Sequence, residues 1–127
     1  MITVSHKRLI IGLMVLLVLT AAAGASLLWE LTWLQVRTAF AAEQTEIFEE
    51  MRTKALRLGP SQSAECLEYA VNYYPSGSKQ EVGSRLDQIV ERQRTSAVRD
   101  IIAHLRSKTG QDFGDDPQAW IKKFAGK

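Results

Sequence analysis

Cys66 and His104 carry the most reactive side chains of the sequence, since a thiol and an imidazole act as nucleophile and base once a fold brings them together. No third group that would orient the imidazole can be picked out, so the default for Cys66 is a buried or unpaired thiol, or, in an oxidising compartment, a link to a second chain. His6 lies across a long apolar run from His104, so no two histidines can share a metal. A single cysteine also excludes an internal disulfide framework and a cysteine-rich zinc site. Asp112, Asp115 and Asp116 could offer oxygens to Ca²⁺, but their spacing is not that of an EF-hand loop and Asp116 stands where it would cap a helix. Asp112-Phe113-Gly114 spells a kinase tripeptide without the Gly-rich loop, strand lysine or catalytic loop that give it meaning. Glu65 and Glu68, one helical turn apart, suit a solvated edge. The expectation is a non-enzymatic chain with no catalytic, cofactor-binding or metal-ligating residues, no cofactor and no small-molecule substrate.

Two other sets of residues are suited to recognition rather than reaction. Arg85, Arg92, Arg99 and Arg106 recur every seven residues and so stay on one face of a helix, drifting by only about 20° per heptad. Such a ladder is a solvated face, a docking surface for lipid headgroups, an acidic polymer or an acidic protein, or a match for Glu43, Glu46 and Glu50 within the chain. Tyr69, Tyr73 and Tyr74 crowd a short apolar helix and form the second candidate interaction surface.

The 127 residues contain 16 Lys+Arg and 14 Asp+Glu. Lys7 and Arg8 precede the apolar run, so the portion beyond it holds 14 of each sign and is neutral. Nucleic-acid binding, which requires a clustered basic surface, finds no support there.

The run itself, Leu9 to Trp29, is 21 consecutive uncharged residues. At about 1.5 Å per helical residue it spans roughly 30 Å, the thickness of a bilayer hydrocarbon core. It fits an uncleaved signal-anchor, with Trp29 and Trp33 at the far interface, and also a cleaved signal peptide whose small-residue site is Ala23-Gly24-Ala25. In both cases Lys7 and Arg8 keep the front end cytoplasmic and the C-terminal portion lies outside.

Beyond the run, residues 30–58 hold no Pro or Gly, and Trp33, Val36, Phe40, Ile47, Met51 and Leu58 fall on one stripe of an amphipathic, stalk-like helix. Gly59-Pro60 ends it; Ser61 or Ser63 is expected to cap a second helix through Tyr74, closed by Pro75-Ser76-Gly77. Ser84 with Asp87 opens a third helix to about Lys108, whose apolar face is Leu86, Val90, Ala97, Ile101 and Leu105, and Gly110 ends it. Phe113 then tucks under the helix end, Gly114 permits a positive φ, Asp116 caps a last short helix, Pro117 suits its first turn, and Trp120, Ile121 and Phe124 form its apolar side.

The stretch Thr109-Gly110-Gln111-Asp112-Phe113-Gly114-Asp115-Asp116-Pro117-Gln118-Ala119-Trp120 resembles the TGxDFGxDPxAW segment of bacterial exported or membrane-anchored helical proteins, also found at the ends of HEAT-like helical units. With Asn72 to Gly77 and Gly83 to Asp87, the resemblance covers about half the chain. It implies a helical fold and interaction roles and supplies no catalytic residue; one helix pair is too few for a solenoid.

The sequence therefore predicts an all-α protein. Its parts are a cytoplasmic N-terminus (1–8), a transmembrane signal-anchor helix (9–29), a stalk-like amphipathic helix (30–58) and an exported helical domain with a helix hairpin and a capping helix (59–127). The expected location is the cell membrane, single-pass, with the C-terminal domain extracytoplasmic. The expected partners are the bilayer and a protein or a second copy. A secreted or periplasmic protein cleaved near Ala25 and an accessory subunit of a larger membrane complex are the alternatives.

Overall fold

The computed structural model describes residues 5–126, so the first four positions of the expected cytoplasmic segment lie outside the described residues. Among them there are four helices and no strand: α1 (His6–Ala55), α2 (Pro60–Asn72), α3 (Arg85–Thr109) and α4 (Pro117–Phe124). The chain divides into two units, Met1–Val36 and Arg37–Lys127.

The first unit is the leading part of α1. Its large side chains are bare: Leu9, Leu13, Leu16, Leu17, Leu28 and Trp29 are all more than half exposed. Nothing in its most apolar stretch is buried, and α1 is long and apolar enough to cross a membrane. The polar groups inside this stretch find partners within the helix. Thr20 and Thr32 donate their hydroxyls to the carbonyls of Leu16 and Leu28, each at 2.8 Å, one turn back.

The second unit buries a real core. Trp120, Phe48, Leu67, Ile101 and Leu105 are fully enclosed. They form two neighbouring clusters, one of Ala55, Cys66, Leu67, Ile101, Ile102, Leu105 and Trp120, the other of Ala41, Phe48, Ala70, Val90 and Ala97. Helix α2 packs on both α3 and α4, so an unusually apolar helix is covered on more than one side, as its composition requires.

The compact unit, Arg37–Lys127, takes in the later part of α1. The buried positions of α1 are Ala41, Gln44, Phe48 and Ala55. At 100° per residue their mean direction lies about 70° around the helix from the expected stripe of Phe40, Ile47, Met51 and Leu58, which are only half-buried. Phe48 and Gln44 are buried there with the two alanines, and the displacement leaves Ile47 and Met51 lining an open groove.

The connection from α1 to α2 differs from expectation in its capping. Neither Ser61 nor Ser63 caps α2; Gly59 is the N-cap, without a side-chain hydrogen bond, and Pro60 takes the first turn. Proline needs no N–H partner there. Ser63, fully buried, instead donates its hydroxyl to the Ala55 carbonyl at 2.7 Å, an acceptor the Leu58 N–H also reaches at 3.2 Å, and so ties α2 to the end of α1. Helix α3 starts as expected: the Ser84 hydroxyl accepts the Asp87 N–H at 3.2 Å, and Gly110 closes the other end with φ 66°.

Candidate functional site

The α2–α3 loop is built around Asp87, which is 5 % exposed. Its carboxylate accepts the Ser76 hydroxyl at 2.9 Å and the Gly83 N–H at 2.9 Å. The Gly83 N–H above all, with Ser76 and the Gly77 N–H, holds the carboxyl below its ordinary range despite burial. Gly77 is required where it stands: its φ is +85°, and an added Cβ would meet the Val82 side chain at 2.4 Å.

Arg94 is the residue that periodicity missed. It occupies the gap between Val90 and Ala97 on the inner face of α3 and is only 9 % exposed. Its guanidinium donates to the Ala70 carbonyl at 2.8 Å, to the Val71 carbonyl at 3.2 Å and to the Tyr74 carbonyl, and stands 4.6 Å from the Phe48 ring centroid. It therefore neutralises the carbonyl end of α2, a helix that ends without a glycine cap. The signal was present: one arginine in the apolar register, facing a helix whose last residues offer no other cap.

The tyrosines form a continuous aromatic surface. Tyr69 and Tyr73 stack at 5.1 Å, Tyr73 meets Tyr74 edge-on at 4.5 Å, and Tyr73 also reaches Phe48 at 6.0 Å. Tyr69 and Tyr74 remain 47 % and 40 % exposed. The Lys79 ammonium sits over Tyr74 and over Phe40, 4.8 and 4.7 Å from their centroids.

The four arginines divide by role. Arg85, Arg92 and Arg99 are exposed; Arg99 lies 3.6 Å from its neighbour Asp100. Arg106 turns to the α3–α4 loop, pairing with Asp112 at 3.0 Å and Asp115 at 3.2 Å and donating to the Gly114 carbonyl. Its guanidinium stands 6.0 Å from the Trp120 ring. None of the four pairs with Glu43, Glu46 or Glu50; the ion pair that joins α1 to α3 runs from Arg52 to Asp100 at 3.6 Å.

That loop is a self-contained clamp. Trp120 donates its indole N–H to the Gly114 carbonyl at 2.8 Å, Phe113 meets the indole edge-on at 5.0 Å, and Phe124 stacks on it at 6.1 Å. Gly114 has φ 78°. Asp116 accepts the Gln118 N–H at 3.0 Å with Pro117 beside it at the helix start. Asp112 accepts the Gly114 N–H and the Arg106 side chain, which together lower its pKa. All three aspartates are thus used by donors of the chain itself, and among the described residues no cluster of three His, Cys, Asp or Glu could hold a metal ion.

Cys66 is buried in the core beside α1, and burial pushes its pKa up, the reverse of what activates a nucleophile. The His104 ring nitrogen lies 3.4 Å from the Leu58 carbonyl.

One further feature has the shape of a binding surface. Ile47, Met51 and Tyr69 line a groove of about 630 Å³ between α1 and α2, with Glu50 and Glu65 among its polar residues. No protein-family model matches the chain, and neither does a curated protein or a solved structure.

Proposed function

We propose that this chain is a single-pass membrane protein. Leu9–Trp29 serves as an uncleaved signal-anchor, Lys7 and Arg8 lie on the cytoplasmic side, and an extracytoplasmic helical domain binds a macromolecular partner without catalysing a reaction. One observation carries the anchoring: an apolar helical stretch of bilayer length with none of its side chains covered by the protein. Each such leucine gains about 1.5–3 kcal/mol on leaving water, so lipid is the solvent that suits it. Leu27, Leu28 and Trp29, which carry the apolar run past Ala25, favour an uncleaved anchor over removal near that residue. The binding role is supported by exposed aromatic and arginine surfaces beside carboxylates already engaged within the chain.

A phosphatase fused after Lys127, active only outside the cytoplasm, tests the orientation. Activity in intact cells is expected. A fusion that is made and stays inactive, while a cytoplasmic reporter at the same site works, overturns the topology.

A further inference from the structure

Two exposed strips on different helices of the second unit carry the same spacing with opposite charge. On α1, Glu43, Ile47 and Glu50 stand at i, i+4 and i+7; on α3, Arg85, Ile89 and Arg92 do the same. Each triplet falls on one face of its helix, with its charges about 10.5 Å apart. The two glutamates and two arginines are exposed, Ile89 is 45 % exposed, Ile47 is half-buried at the margin of the groove, and none of the four charges has an ion pair among the described residues.

We propose that the α3 strip of one copy docks on the α1 strip of a second copy, pairing Arg85 with Glu43 and Arg92 with Glu50 and seating Ile89 against Ile47 and the groove floor. The inference deepens the proposed function by naming the partner, and it rests on that reading for the requirement that neighbouring copies share one bilayer. Such copies are inserted in the same direction, which a contact between parallel helices allows.

The register meets that requirement. Within one chain, Gln93 on α3 donates to Glu49 on α1, 44 positions apart, and Arg52 further along α1 meets Asp100 further along α3, so the two helices run parallel. The proposed pairs lie 42 positions apart. The intrachain pairs lie 44 and 48 positions apart, so the offset between copies is two to six residues, or roughly 3–9 Å along the helix. Complementarity ends after Glu50, where Lys54 falls opposite Ser96 and Arg57 opposite Arg99, which bounds the contact to about two helical turns. Because the two strips are different patches of the same chain, the contact is heterologous and either closes into a ring or continues along the membrane.

The test uses the full-length chain in density-matched detergent, followed by sedimentation, with variants E43R/E50R and R85E/R92E. Each variant alone brings like charges together and is expected to associate at least about tenfold more weakly than the native chain. An equimolar mixture of the two again sets arginine against glutamate at every contact and is expected to recover association. Native association is expected to weaken as salt rises. A native chain that stays monomeric at low salt, variants that associate as the native chain does, or a mixture that stays dissociated would each overturn the proposal. Carbonate washing of membranes holding the same proteins separates this from failure of the anchor, since only the latter releases the chain.

Discussion

One helix, α1, is bare and apolar in its first part and packed and two-faced in its second, and the contrast shows what each pattern suits. From Leu9 to Trp29 leucine, valine and isoleucine point in every direction, and none of the most apolar stretch is covered by protein. From Arg37 to Ala55 the same helix is two-faced, hiding Ala41, Gln44, Phe48 and Ala55 and exposing Glu43, Glu46 and Glu50. A lipid environment asks only that polar groups be satisfied internally, which Thr20 and Thr32 achieve by bonding one turn back. A protein core asks for shape as well, and it places small alanines where helices cross and buries charge only where every donor finds an acceptor.

The contrast breaks most sharply at Trp120. Trp120→Ala removes a fully buried indole that packs α4 into the core beside Leu67, Ile101 and Leu105 and is expected to cost about 3–5 kcal/mol, read as a large fall in the thermal midpoint of the full chain in detergent. Membrane association should be unchanged. The converse change, Leu16→Arg, should leave that midpoint alone and disfavour insertion by about 2.5–3.5 kcal/mol, visible as chain released from membranes.

Within the second unit, Arg94 and Arg92 make a paired test. Arg94→Ala orphans the Ala70, Val71 and Tyr74 carbonyls and is expected to destabilise by about 1–3 kcal/mol, whereas Arg92→Ala, at an exposed position, should stay within about 0.5 kcal/mol. Equal effects in chemical denaturation would remove the assigned cap.

Acid separates the two parts as well. The Asp87 carboxyl is held below its usual 3.8, so the folded state binds fewer protons than the unfolded chain around that pH. Its contribution is fully present above the unfolded value and is lost as pH falls through the folded one. Asp87→Asn is expected to flatten that part of the acid-unfolding curve. Leu9–Trp29 holds no ionisable carboxylate, and its lipid association should be level across the same range. A modest effect is expected from Ser84→Ala, about 1 kcal/mol through loss of the cap that accepts the Asp87 N–H.

Local punctuation was legible because it depends on few residues. Ser84, Gly110, Asp116 and Pro117 act over one turn, and each stands at its helix boundary. The side on which α1 packs was not legible, because the stripe chosen by apolar spacing passes over Ala41, Gln44, Phe48 and Ala55, which the structure buries. Arg94 and the partners of the Asp87 carboxylate escaped for a related reason: Arg94 is buried by the Ala70 and Tyr74 carbonyls, and Asp87, placed at the start of α3, turns its carboxylate to Ser76 and Gly83 in the preceding loop. The spacing of the arginines was read correctly as one face, but the engagement of Arg106 with Asp112 and Asp115 depended on the path of a loop.

The claim on which the rest depends is that the bare apolar half of α1 resides in lipid and stays joined to the packed half. Alkaline carbonate washing of membranes from cells making the chain, with the intact mass of the retained polypeptide measured afterwards, addresses both parts together. The account predicts that the polypeptide stays in the pellet with Leu9–Trp29 still attached. Release into the wash, or a retained species beginning near Ser26, would contradict it.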